Sequence, residues 1–126
     1  MADILVVDDE EEISSFLAQF LSEFGFKTDY CLSGELAFER FNREPWKLVI
    51  VDLKLSTNIS GIQVLKVFKE KFPKALMIAM SGYVDMGMRQ EVENLGVHAF
   101  FSKPDDLQLD IFLEKAKPFL DLIQAG

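Results

Sequence analysis

Leu48-Val49-Ile50-Val51-Asp52 constrains the fold of this chain more than any other stretch. Four consecutive apolar residues, three of them β-branched, spell a strand buried on both faces, and the run stops at an aspartate. Three other runs are built alike but end differently. Ile4 to Val7 leads into Asp8 and Asp9, Ala75 to Met80 into Ser81, and Ala99 to Ser102 into Lys103. Ligands of an open α/β sheet bind outside the carboxyl ends of its strands, so these side chains are expected to converge on one site.

Helical patterns fill the gaps. From Glu11 to Phe24, the residues Ile13, Phe16, Leu17, Phe20, Leu21 and Phe24 recur at helical spacing, and Gly25 is a natural C-cap. Thr28 to Cys31 forms a short second strand. Ser33 caps a second helix carrying Leu36, Ala37 and Phe41, which ends before Pro45. Leu55 to Gly61 is a loop, followed by a third helix through Ile62, Leu65, Phe68 and Phe72 that Pro73 closes. A fourth helix starts near Asp85, is weakened by Gly87 and ends at Gly96. The last helix starts near Asp105 or Asp106 and buries Leu107, Ile111, Phe112 and Phe119. Pro118 lies inside it at a cost of about 3 kcal/mol, which predicts a kink or a break at Lys117.

Five strands alternating with five helices imply an α/β fold: a doubly wound, five-stranded parallel sheet with helices on both faces. Strand order 2-1-3-4-5, the flavodoxin-like order, is the common solution, and Asp8, Asp9 and Asp52 would flank its switch point. Residues 1–126 are expected to form a single domain. A net charge of −8, from 13 basic and 21 acidic residues, argues against direct nucleic-acid binding, which needs a basic face. No apolar run reaches the length of a membrane span, and the N-terminus carries acids rather than a basic signal region. The lone cysteine, Cys31, is read as a small buried hydrophobe. These features predict a cytoplasmic protein.

Three carboxylates in one crevice repel, at about 4 kcal/mol for two charges 4 Å apart and an effective dielectric near 20. Lys103 supplies one compensating charge and a divalent cation the remainder. Oxygen ligands without His or Cys favour Mg²⁺. That set suits phosphoryl transfer: Asp52 attacks phosphorus, Asp8 and Asp9 hold the metal, and Lys103 and Ser81 bind phosphoryl oxygens. His98, the sole histidine, is read as a partly exposed strand-edge residue. Met86 and Met88 are read as adaptable contacts on a partner-binding face.

Four motifs now stand in order: Ile4-Leu5-Val6-Val7-Asp8-Asp9-Glu10, Leu48-Val49-Ile50-Val51-Asp52-Leu53, Met80-Ser81-Gly82-Tyr83 and Phe100-Phe101-Ser102-Lys103-Pro104. Together they resemble the response-regulator receiver domain, the phosphoacceptor module of two-component signalling. The 2-1-3-4-5 order is itself that of a chemotaxis member of this family. The resemblance implies that Asp52 takes a phosphoryl group from a sensor histidine kinase or a phosphotransfer protein. It implies that Asp9 ligates Mg²⁺ directly and Asp8 largely through water, with Asp52 and the Lys54 backbone carbonyl completing the protein ligands. Ser81 matches the switch hydroxyl and Phe100 the switch aromatic, here without a hydroxyl.

By the same resemblance, the domain is no enzyme toward other substrates and catalyses only its own phosphorylation and dephosphorylation. The face of the fourth helix, fifth strand and fifth helix would meet a downstream protein or output domain, with a phosphorylation-dependent dimer among the outcomes. The chain departs from the family where Leu55-Ser56 replaces a frequent Met-Pro pair and the loop to Gly61 is one residue longer. Lys54 and Tyr83 lie where family members tune phosphoaspartate hydrolysis, and Tyr83 is expected to shield the acyl phosphate. Two other readings compete. A haloacid-dehalogenase-like phosphatase is disfavoured by Glu10 in place of a second aspartate and by the lack of room for a cap. A degenerate receiver acting only as a binding module is disfavoured because all five site positions are filled.

Overall fold

A computed structural model describes residues 3–56, 58–83 and 86–125. The chain alternates β1 (Ile4–Val7), α1 (Glu11–Glu23), β2 (Thr28–Cys31), α2 (Gly34–Phe41), β3 (Leu48–Asp52), α3 (Gly61–Lys71), β4 (Leu76–Ser81), α4 (Met86–Leu95), β5 (Ala99–Ser102) and α5 (Leu109–Ala125). The sheet runs β2-β1-β3-β4-β5 and every pairing is parallel, as the alternation predicted. Every residue of β1 and β3 is buried, which is what central strands covered on both faces require.

Strand residues alternate between two cores, following the period of two. Leu5, Val7, Val49, Val51, Met77 and Ala79 pack against Ala37 and Phe41 of α2, Val64, Leu65 and Phe68 of α3, and Val92 of α4. On the other face Ile4, Val6, Leu48, Ile50, Ile78 and Met80 meet Leu17 and Leu21 of α1 and Phe112, Ala116, Leu120 and Ile123 of α5. Cys31 is buried at the end of β2, and burial pushes its thiol up to about 12.

Helix ends follow the expected signals. Gly25 follows α1 with φ 93°, a left-handed position that glycine takes without strain. The Ser33 hydroxyl accepts from the Leu36 N–H at 3.1 Å and caps α2. Ser60 and Gln63 form a capping box at the start of α3.

Three expectations are corrected. Helix α1 turns Ser14, Leu17, Ala18 and Leu21 inward, while Phe16 and Phe24 are 45% and 49% exposed. The small residues let the helix approach the sheet, and the phenylalanines stack along its flank toward Phe112. Helix α5 begins at Leu109 rather than near Asp105, because a short 3-10 turn over Asp105–Leu107 ends in an extended Gln108. No break occurs at Lys117: one helix runs through Pro118. Pro118 and Glu114 both face solvent, so the carbonyl that loses its partner is left to water. Thr57 in the β3–α3 loop and the expected helix start near Asp85 lie outside the described residues.

Candidate functional site

The four strand ends meet. Asp8 follows β1, Asp52 closes β3, Ser81 closes β4 and Lys103 follows β5. The Lys103 ammonium donates to Asp52 Oδ2 at 2.7 Å, to Asp8 Oδ2 at 2.8 Å and to Glu10 Oε1 at 3.0 Å. Asp8 is fully buried and Asp52 nearly so, whereas the Glu10 side chain reaches in from solvent. The Lys103–Pro104 peptide that delivers the lysine is cis.

Backbone donors hold the remaining carboxylate oxygens. Asp52 Oδ1 accepts from the Lys54 N–H at 2.9 Å, and Asp8 Oδ1 from the Glu10 N–H at 3.0 Å. Asp9 stands at the rim, where its Oδ2 accepts from the Ser56 N–H at 3.0 Å. The buried Ser81 hydroxyl donates to the Tyr83 carbonyl at 2.7 Å and accepts from the Tyr83 N–H at 3.2 Å. Above it, the Lys54 ammonium lies 5.0 Å from the centre of the exposed Tyr83 ring. Asp9, Glu10, Asp52, Lys54, Ser81, Tyr83 and Lys103 line a cleft of about 540 Å³.

The electrostatics favour a further cation. Ligand oxygens of Asp8, Glu10 and Asp52 lie within 4.8 Å of one another, and one ammonium balances only one of three charges. Burial, helped by repulsion from Asp52, pushes the Asp8 carboxyl up to about 6 against the pull of Lys103 and the Glu10 N–H. Burial alone would lower the Lys103 ammonium, but its hydrogen bonds to Asp52, Asp8 and Glu10 outweigh this and raise it. An all-oxygen donor set with surplus negative charge fits a hard divalent cation.

Asp8→Asn is therefore expected to stabilise the metal-free protein. The folded chain holds the Asp8 proton up to about pH 6 and the unfolded chain only to 3.8, so stability falls as pH rises between them. At about 1.4 kcal/mol per pH decade, the penalty above pH 6 is roughly 3 kcal/mol. Urea unfolding in chelator should show Asp8→Asn about 1–3 kcal/mol more stable than wild type at pH 7.5, with the gain vanishing below about pH 4. Equal stability at pH 7.5 would contradict the assigned cause.

Each residue expected at the site lines the cleft or touches Lys103, except Phe100, which packs half-buried against the core on the α4 side. The Arg89 guanidinium lies 4.5 Å from the centre of its ring. Glu10 joins the carboxylate cluster without having been expected there; the only signal was a third consecutive acid. His98 precedes β5 and is exposed, with Nδ1 accepting from the Met77 N–H at 3.0 Å, far from this chemistry in role.

The family model described as the response regulator receiver domain matches residues 4–111. The chain belongs to the response-regulator receiver family. This receiver is 31% identical over 119 residues to sporulation initiation phosphotransferase F of Bacillus subtilis, covering 94% of each chain. The CheY-like receiver domain protein of Methanospirillum hungatei superposes with a TM-score of 0.85 at 26% identity, covering 99% of this receiver and 98% of that chain. Response regulator TrrA of Thermotoga maritima, solved with Mg²⁺ and BeF, gives 0.78 at 30% identity over 94% and 99% of the two chains. A putative NtrX-like response regulator of Rickettsia bellii is 28% identical over 118 residues, but the receiver spans only 25% of that protein. Membership decides between the receiver and the phosphatase readings.

Proposed function

We propose that this receiver is a phosphorylation-controlled switch or relay whose acceptor is Asp52. The observation that carries the reading is Lys103 bridging the buried Asp8 to Asp52 at the floor of the cleft. An Asp52 oxygen attacks the phosphorus of a phosphohistidine on a sensor kinase or phosphotransfer protein. The O–P bond forms as the P–N bond breaks, and the imidazole nitrogen leaves with the electron pair. Asp8, Asp9 and Asp52, with the Lys54 carbonyl, would hold Mg²⁺, which supplies charge neutralisation at the phosphoryl oxygens when bound. Lys103, already oriented by the carboxylates, passes one of its hydrogen bonds to the new phosphoryl group. The Ser81 hydroxyl exchanges the Tyr83 carbonyl for a phosphoryl oxygen, drawing the β4–α4 loop inward.

The readout runs through Phe100 and the face of α4, β5 and α5 to a downstream protein or output domain, with phosphorylation-dependent dimerisation as one form of it. Among the described residues no helix is long and apolar enough to cross a membrane, and we place the protein in the cytoplasm. The test is incubation with acetyl phosphate. A mass gain of one phosphoryl group that requires Mg²⁺ supports the reading; no gain refutes it and favours a binding-only module, and a gain that survives chelation refutes the part given to the metal.

Tyr83 and Lys54 span the cleft mouth and limit the approach of water to the acyl phosphate. Tyr83→Ala is expected to shorten the phosphoaspartate lifetime several-fold, on the order of 1 kcal/mol in barrier. Phosphate release from pre-loaded protein measures it, and slower release from the variant would remove Tyr83 as a shield.

A further inference from the structure

Four polar or charged residues are buried as whole residues among the described ones: Asp8, Ser14, Asp52 and Ser81. Three belong to the site above. Ser14, in the first turns of α1, has no accessible surface and does not line the cleft. A hydroxyl taken out of water needs a partner, and which partner it takes reports what it holds.

Its neighbour gives the contrast. Ser15 bonds back to the Glu11 carbonyl at 2.8 Å, the ordinary helix-internal choice four residues away. Ser14 reaches six residues back and out of the helix, donating to the Asp8 carbonyl at 2.6 Å. Its own N–H donates to the Glu10 carbonyl at 3.0 Å. The N-cap residue of α1, Glu10, makes no side-chain cap bond. The Ser14 hydroxyl therefore ties the helix to the end of β1 across the turn that carries Asp8, Asp9 and Glu10.

We infer that Ser14 is a positioning residue for the acidic turn: its buried hydroxyl fixes the Asp8 backbone and thereby the carboxylates that receive the divalent cation. The inference rests on the proposed role of Asp8 and Asp9 as the metal side of the site. Ser14, buried and outside the cleft lining, would touch neither metal nor phosphoryl group. It acts through the backbone, as groups behind a metal ligand do when they set its orientation.

The test is calorimetric titration of Mg²⁺ into wild type, Ser14→Ala and Ser14→Cys, with amide exchange at Asp9 and Glu10 followed in the metal-free proteins. Cysteine keeps the shape of the side chain but is a weak donor, so it separates hydrogen bonding from packing. Both variants are expected to bind Mg²⁺ about 10-fold more weakly, the low end of the range for groups behind a metal ligand. The two amides should exchange about 10-fold faster, while helical circular dichroism is retained. Should Ser14→Ala fail to fold, the near-isosteric cysteine variant carries the measurement. Wild-type affinity in Ser14→Cys would show that only shape matters and overturn the inference. Unchanged affinity in both variants would overturn it alone, whereas a wild type that binds no Mg²⁺ overturns the functional reading and this inference with it.

Discussion

Asp52→Asn protein is expected to keep its fold and take up no phosphoryl group from acetyl phosphate, a loss of at least about 10³-fold in rate. The one asparagine oxygen can keep the bond from the Lys54 N–H while the amide nitrogen takes the place of the oxygen on Lys103, so one of the two hydrogen bonds at residue 52 survives and the nucleophile is lost. Three other carboxylates stand within reach of the same lysine or cleft, and the geometry separates them. Asp8 has no accessible surface and does not line the cleft. Asp9 points at the Ser56 N–H, and Glu10 extends from solvent onto Lys103. Only Asp52 closes a strand at the floor of the cleft with one oxygen on Lys103 and the other on a backbone donor. Mass spectrometry of the phosphorylated peptide decides the matter. Full uptake by Asp52→Asn, or a phosphopeptide containing residues 8–10 instead, would move the acceptor elsewhere.

Much of this was legible because the relevant physics is local. Buried parallel strands write themselves as apolar runs, and the residue that ends each run sits at a known edge of the sheet. Asp52, Ser81 and Lys103 could be placed from that alone. What the sequence hid depends on depth rather than periodicity. Ser14 and Phe16 both fit a helix, but only packing decides that the serine faces the sheet and the phenylalanine faces out. Pro118 looked like a break because propensity treats every interior position alike, yet on the solvent side its missing hydrogen bond is tolerated. Glu10 reads as an acid at a helix start until Lys103, 93 residues later, folds back onto it.

Gly61 was hidden in the same way, being one of several turn formers between Leu55 and the third helix. It opens α3 pressed against the acceptor strand: its N–H donates to the Leu53 carbonyl at 3.2 Å. A methyl group there would stand 2.1 Å from the Asp52 carbonyl oxygen and 2.6 Å from Leu53 Cα. Both are backbone atoms and cannot swing aside. The helix cannot easily retreat either, because Ser60 and Gln63 lock its first turn. Gly61→Ala must therefore shift the backbone that carries the nucleophile, and a misplacement of about 1 Å costs on the order of 10²-fold in rate. Overpacking adds a stability loss of about 1–3 kcal/mol. Gly34 is the control, since a methyl group there meets side-chain atoms of Ile59 at 2.5 Å and Val64 at 3.1 Å, which can give way. Gly34→Ala should lower the urea midpoint yet phosphorylate within a few-fold of wild type. If the two variants lose rate equally, or Gly61→Ala reacts like wild type, contact between α3 and the acceptor strand does not position Asp52.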